Sequence, residues 1–122
     1  MILADTSVWI DHFRSGDREM ERSLSQSQIV IHPWIIAELA LGSLRNRTST
    51  LAMLDLLPQA RVAQTKELRH MIEARRLYNL GIGLTDAQLI ASALLDPPML
   101  LWTRDKQLRR VAEGLGIHAH LP

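Results

Sequence analysis

The stretch MILADTSVWIDHF (residues 1–13) contains the pattern on which the fold prediction depends. Ile2 to Ala4 form a short apolar run that ends at Asp5. Thr6 and Ser7 then offer side chains that cap a helix, and apolar residues follow at helical spacing. The opening of the chain therefore predicts a strand, a turn that carries a carboxylate, and a helix.

The same alternation of strand and helix continues along the chain. Four further short strands are predicted, at Gln28–Ile31, Arg61–Ala63, Met99–Trp102 and Ile117–His120. Further helices are predicted at Pro33–Gly42, Ser49–Leu57, Thr65–Gly81, Thr85–Leu95 and Thr103–Leu115, the fourth opened by a capping box of Thr85 and Gln88. Such alternation is typical of an α/β fold with a parallel sheet and helices on both faces.

Length and composition favour one domain over residues 1–122. A hydrophobic fraction of 47% and a charged fraction of 22% exclude a disordered chain. The absence of cysteine excludes a disulfide framework, a thiolate nucleophile and a cysteine-based zinc site. No apolar run reaches the roughly 20 residues of a membrane span, and no basic region precedes the first apolar stretch, so we expect no membrane contact and a cytoplasmic location.

Several common kinds of active site lack support in the sequence. The five histidines have no spacing typical of a catalytic zinc site. There is no G-x-S-x-G turn of a serine hydrolase, no G-x-G-x-x-G fingerprint and no phosphate-binding P-loop. The acidic residues are therefore the best candidates for chemistry.

Three aspartates are predicted to meet at one edge of the sheet. Asp5 ends the first strand and Asp105 follows Met99–Trp102, and the carboxyl ends of parallel strands lie at the same edge. Asp86 opens a helix that starts from this edge. An aspartate at a helix start also caps the free amides, so each one has a structural explanation as well.

Glu38 is harder to explain by structure alone. It lies in PWIIAELALG (residues 33–42), where almost every neighbour is apolar. A carboxylate there lies on a narrow exposed edge, pairs with an arginine or belongs to a site, because burial without a partner is costly.

Four converging carboxylates predict a site for a divalent cation. They repel one another and raise each other's pKa values unless a cation joins them. Oxygen ligands select Mg²⁺ or Mn²⁺, and the matching reaction is metal-assisted hydrolysis of a phosphodiester. The hydroxyls of Ser7 and Thr103 lie beside Asp5 and Asp105 in sequence, where they are able to orient a ligand or to cap a helix.

The basic residues suggest contact with nucleic acid at particular points. The net charge is only +1, but 12 of the 14 basic residues are arginines, which suit phosphate. Arg104, between Thr103 and Asp105, is the strongest candidate for a contact with RNA phosphate. The three tryptophans lie among apolar residues, which favours the core over base stacking.

These motifs together resemble the PIN-domain ribonucleases of the VapC toxin family. The similar stretches are MILADTSVWID, IAELALG, LTDAQLIASALL and LLWTRDKQL, in that order over nearly the whole chain. The resemblance departs at Gln107 and Leu108, where many relatives have a further acidic or aromatic residue. It implies a five-stranded parallel sheet and an Mg²⁺- or Mn²⁺-dependent endoribonuclease that forms a homodimer and is inhibited by a cognate antitoxin.

By position, the resemblance assigns catalytic roles to four carboxylates, of which the three aspartates are metal ligands: Asp5, Glu38, Asp86 and Asp105. It assigns Thr103 a supporting role. The alternative is a catalytically silent PIN-like module that binds RNA or protein. A receiver-like phosphoacceptor domain is a weaker third hypothesis, because such a domain needs paired acids after the first strand.

Overall fold

The structure, a computed structural model of all 122 residues, has a parallel sheet at its centre. The sheet has three strands in the order β2–β1–β3, which are β1 (Ile2–Ala4), β2 (Ile29–Val30) and β3 (Leu100–Trp102). Seven helices surround it: α1 (Thr6–Ser15), α2 (Arg18–Ser25), α3 (Pro33–Leu41), α4 (Arg47–Leu56), α5 (Thr65–Arg75), α6 (Leu84–Leu95) and α7 (Lys106–Gly114). The predicted α/β class and parallel sheet are confirmed.

Both faces of the sheet are covered. Successive residues of a strand point to opposite faces, and Leu3 and Ala4 of β1 are both fully buried. The same holds for Leu101 and Trp102 of β3. This burial explains why the strands read as continuous apolar runs.

The prediction of five strands is wrong, because each outer segment pairs through one residue only. Gln59 bridges to Ile31 on one side of the sheet, and His118 bridges to Leu101 on the other. Next to Gln59 lies Pro58, which offers a carbonyl to Ile31 but has no N–H to continue the ladder. Beyond His118, the chain turns at His120, whose φ is +57°.

The strand predicted at Arg61–Ala63 is also wrong, because side chains of α6 bind this backbone instead. Ser92 Oγ donates to the carbonyl of Arg61 at 2.6 Å. The Gln88 side chain pairs with both backbone groups of Ala63, at 3.1 and 2.8 Å. These hydrogen bonds satisfy backbone N–H and C=O groups of the segment, so it does not need a neighbouring strand.

The predicted capping box of α6 is replaced by another cap two residues earlier. Gln88 is buried and cannot cap, because its amide is committed to residue 63. Asp86 Oδ2 instead accepts a hydrogen bond from the amide of Gly83 at 3.1 Å. The helix therefore begins at Leu84, and Asp86 lies in its first turn.

The largest departures from the predicted helices are one additional helix and two boundaries. α2 was not predicted, although Asp17 caps it by accepting from the Met20 amide at 3.0 Å. α5 ends at Arg75 because Arg76 adopts a left-handed conformation, with φ of 54°. α7 begins at Lys106 rather than at residue 103, since Asp105 is its cap.

The fold brings two of the predicted site segments to one edge. β1 runs into Asp5 and α1, while β3 runs into Thr103 to Asp105 and α7. The Asp5 amide donates to the Trp102 carbonyl at 2.9 Å, which ties these two strand ends together. The longest helix, α6, has 12 residues, and none of the helices has the length and apolar character needed to cross a membrane.

Candidate functional site

Asp5 is the most buried carboxylate of the site, with only 5% of its surface exposed. Its Oδ1 accepts hydrogen bonds from the amide of Thr6 at 2.7 Å and from its hydroxyl at 3.2 Å. Its Oδ2 accepts from Ser7 Oγ at 3.0 Å and from Thr103 Oγ1 at 2.7 Å. Every donor to this carboxylate is neutral.

Ser7 and Thr103 hold the Asp5 carboxylate in one orientation. Each hydroxyl donates its single proton to Asp5 Oδ2 and accepts an N–H from the loop after β3. The amide of Arg104 donates to Ser7 Oγ at 3.0 Å, and the amide of Asp105 donates to Thr103 Oγ1 at 3.1 Å. The supporting residues predicted from the sequence therefore contact the carboxylate itself, and they join α1 to the loop after β3.

Asp86 and Asp105 both lie at helix starts, as their sequence positions predict. Asp105 is exposed, and its Oδ1 accepts from the Leu108 amide at 2.9 Å. Asp86 is half-buried in the first turn of α6. Burial raises the pKa of Asp86, the hydrogen bond from the Gly83 amide opposes this, and the negative charges of Asp5 and Asp105 raise the pKa further.

Glu38 lies on the exposed side of α3, on the wall of a groove beside the carboxylates. Glu38 forms no ion pair, so the predicted alternative of a pair with an arginine is wrong. An exposed edge and a functional site remain as explanations. Partial burial raises the pKa of Glu38, the Thr85 hydroxyl acts in the opposite direction, and the charges of Asp5 and Asp86 raise it further.

The four residues form what we call the acidic rim: Asp5, Glu38, Asp86 and Asp105. None of them pairs with a lysine, arginine or histidine. They are near enough for the charge of one to shift the pKa of another. However, no three acidic or histidine side chains in the chain lie together closely enough to hold a metal ion.

The acidic rim offers the ligand atoms that a hard divalent cation prefers, although its side chains are not already arranged around one point. All four groups offer carboxylate oxygens, which are the ligands that Mg²⁺ and Mn²⁺ prefer. The buried negative charge of Asp5 is balanced by no basic side chain. A cation would remove the repulsion that raises the pKa of Asp86 and Glu38.

Arg104 is engaged within the protein, although the sequence suggested a contact with RNA. Its guanidinium forms ion pairs with Asp17 and, at 2.8 Å, with Asp11. The Nε of Arg104 donates to the carbonyl of Pro122 at 3.0 Å. The guanidinium carbon, Cζ, lies 5.5 Å from the centre of the Trp102 ring. This arrangement favours a positioning role, in which Arg104 joins α1, the start of α2 and the C-terminal segment.

We expect Arg104→Ala to lower the free energy of unfolding by about 1–2 kcal/mol, a value that allows for solvent around the ion pairs. The loss arises because Asp17, whose side chain is only 15% exposed, keeps its charge without a partner. Chemical denaturation measures the change. Arg69→Ala, at an exposed and unpaired position, is the control and is expected to stay within about 0.5 kcal/mol. Unchanged stability with weaker RNA binding would instead support the phosphate contact.

Sequence comparison agrees with this geometry. A family model described as PIN domain matches residues 2–114. Two relatives, both named Ribonuclease VapC32, come from the Mycobacterium tuberculosis strains CDC 1551 / Oshkosh and ATCC 25618 / H37Rv. Each is 40% identical over 117 residues, which cover 96% of this chain and 94% of the relative. The chain therefore belongs to the PIN-domain family, and within that family to the VapC ribonucleases.

Proposed function

We propose that this chain is a divalent-metal-dependent endoribonuclease, the toxin component of a type II toxin–antitoxin pair. One PIN-like nuclease domain over residues 1–122 would hydrolyse RNA phosphodiester bonds at the acidic rim. The observation that carries this proposal is the buried Asp5 carboxylate, which has four neutral donors and no cationic side chain. The similarity to two proteins named ribonuclease supports RNA as the substrate.

Asp5, Asp86 and Asp105 are the residues that would hold Mg²⁺ or Mn²⁺, with Glu38 completing the catalytic set. When bound, the ion supplies Lewis-acid stabilisation of the phosphate and lowers the pKa of water. Ser7 and Thr103 keep the Asp5 oxygens in place. The bond from Thr6 Oγ1 is the longest of the four to Asp5, and Thr6 faces the groove, so this is the bond we expect a cation to replace.

Family membership supports the proposed partners and location. We propose a homodimer, inhibition by a cognate antitoxin and a cytoplasmic location without membrane attachment. The VapC name of the relatives supports the antitoxin. The lack of a helix suited to a membrane is compatible with that location.

One observation favours the alternative of a catalytically silent module that binds RNA or protein. No three of the four carboxylates lie close enough together to hold a metal ion. A silent module needs no such group. The two functions differ in one measurable respect, since only the enzyme releases new RNA ends.

The test is incubation of the purified chain with single-stranded RNA, with Mn²⁺ and with a chelator. Hydrolysis by water needs no ribose 2′-hydroxyl as nucleophile, so we expect products with 5′-phosphate and 3′-hydroxyl ends, formed only with the metal. End-group labelling and chromatography identify them. Cyclic phosphate ends as the main product would contradict the mechanism, while binding without cleavage at any metal concentration would favour the silent module.

A further inference from the structure

A groove runs from the acidic rim along α1. Its volume is about 790 Å³, and one wall is the face of α1 that carries Thr6, Ile10, Phe13 and Arg14. The other wall comes from Glu38 and the end of α3, the loop that follows, and the start of α4. The groove thus includes Glu38 of the acidic rim and extends to the last turn of α1.

Two arginines with no protein partner border the far part of this groove. Arg14 and Arg45 line it, both are exposed, and neither side chain forms an ion pair or a hydrogen bond. Arg47 and Arg104 differ from them. Arg47 donates to the carbonyls of Ala40 and Gly42 at the end of α3, and Arg104 is held by two aspartates. The two groove arginines are therefore the free cations of this region.

The remaining groove lining also suits a single strand of nucleic acid. The Ser43 hydroxyl forms no hydrogen bond within the protein and is able to donate to phosphate. The hydroxyls of Thr6 and Thr50 already donate to protein oxygens and are able to accept from ribose. Phe13 is half-buried beside Trp9, with ring centres 5.6 Å apart, and offers an aromatic surface on which a base can stack. Cations, hydroxyls and one aromatic ring along a continuous groove are the usual features of such a binding site.

We infer that this groove holds the RNA strand next to the cleaved bond, with Arg14 and Arg45 bound to backbone phosphates. The inference rests on the proposed function. Arg14 lies eight residues from Thr6 on α1, so the two are about 12 Å apart along the helix axis. The arginines therefore contact the strand away from the rim, and they contribute to binding rather than to bond cleavage. The nucleotides they hold flank the cut site.

The experiment compares two double variants with the parent chain. Arg14→Gln/Arg45→Gln removes both groove cations. Arg69→Gln/Arg110→Gln removes the same charge from exposed positions on α5 and α7 outside the groove, and is the matched control. Binding of a fluorescent single-stranded RNA of mixed sequence is measured in chelator at several salt concentrations. Cleavage with Mn²⁺ then gives KM and kcat.

We expect the groove variant to bind RNA about tenfold more weakly, because charge-assisted contacts to phosphate are lost. The slope of log affinity against log salt should become shallower by about 1.4, since each contact on a single strand contributes about 0.7. The loss in kcat/KM should arise mainly from a higher KM, as expected for contacts away from the reacting atoms. The control should stay within about twofold of the parent in affinity.

The outcomes separate this inference from the function on which it rests. If the parent binds and cleaves RNA while the groove variant keeps its affinity and salt slope, the groove inference is overturned and the ribonuclease proposal stands. If the parent neither binds nor cleaves RNA, both are overturned. Thermal melting checks that the variants fold. Should the double variant fail to fold, the single variants Arg14→Gln and Arg45→Gln are each expected to reduce the slope by about 0.7.

Discussion

Asp5→Asn is expected to reduce RNA cleavage by about a thousandfold or more and to abolish the rise in melting temperature produced by Mn²⁺. The residue is the buried centre of the acidic rim. A bound metal contributes several kcal/mol to transition-state stabilisation, and each 1.4 kcal/mol corresponds to about tenfold in rate. A cation that binds only the folded chain raises the melting temperature, and loss of a principal ligand removes that rise.

The same variant should fold without metal. The asparagine oxygen is able to accept from the Thr6 amide, as Asp5 Oδ1 does. Its amide is able to donate to the hydroxyls of Ser7 and Thr103, which each have a second lone pair. The substitution removes a buried charge that has no cationic partner, but it also takes away the oxygen that accepts the protons of the Ser7 and Thr103 hydroxyls. Since these two effects oppose each other, we expect the melting temperature in chelator to stay close to that of the parent.

Melting curves and cleavage rates with Mn²⁺ and with chelator measure both effects. Asp55→Asn is the control, because Asp55 lies exposed on α4, outside the groove and without an ion pair. It is expected to keep the cleavage rate and the metal response of the parent. A metal-induced rise of equal size in Asp5→Asn would remove Asp5 from the metal site.

The position of the acidic rim could be predicted because it depends on topology more than on detail. Parallel strands place their carboxyl ends at one edge, so an acid after β1 and another after β3 had to lie near each other. Asp86 follows from the same geometry, since α6 starts at this edge. The strand order β2–β1–β3 then puts β1, and with it Asp5, at the centre of the sheet.

The outer segments of the sheet could not be predicted, because their backbone partners are set by tertiary contacts. The run Arg61–Ala63 has the composition of a short strand, but Gln88 and Ser92 from α6 bind its backbone groups. A buried glutamine that pairs with main chain has no local signature. In sequence, Gln88 is equally suited to a capping box, and burial alone decides between these roles.

The cationic part of the site shows the same limit. Arg104 is adjacent in sequence to one residue of the acidic rim, which makes it the best candidate for RNA from the sequence alone, yet its guanidinium extends to Asp11 and Asp17. Arg14 and Arg45 are 31 residues apart and come together only because α1 packs beside α3 and the loop after it. Whether an arginine is free depends on which acids fold next to it, and these acids lie far away in sequence.

Glu38→Gln is expected to reduce RNA cleavage by about a hundredfold or more, because it removes a carboxylate charge from the catalytic set at nearly constant volume. It should also stabilise the metal-free chain slightly. Burial and the charges of Asp5 and Asp86 raise the pKa of Glu38 above its ordinary value of 4.5. Folding is therefore favoured by protonation of Glu38, and that contribution is lost as the pH rises through the raised pKa.

Glutamine carries no such penalty, so in chelator at pH 7 the melting temperature of the variant should be slightly higher than that of the parent. The difference should disappear below about pH 4.5. With saturating Mn²⁺ the order should reverse, because the negative charge of Glu38 near Asp5 and Asp86 attracts the ion more strongly in the parent. Glu73→Gln on α5, exposed and unpaired, is the control and should show neither effect. Normal cleavage by Glu38→Gln would remove Glu38 from the catalytic set. The ribonuclease proposal would then depend on Asp5, Asp86 and Asp105, each of which also accepts a backbone N–H at a helix start.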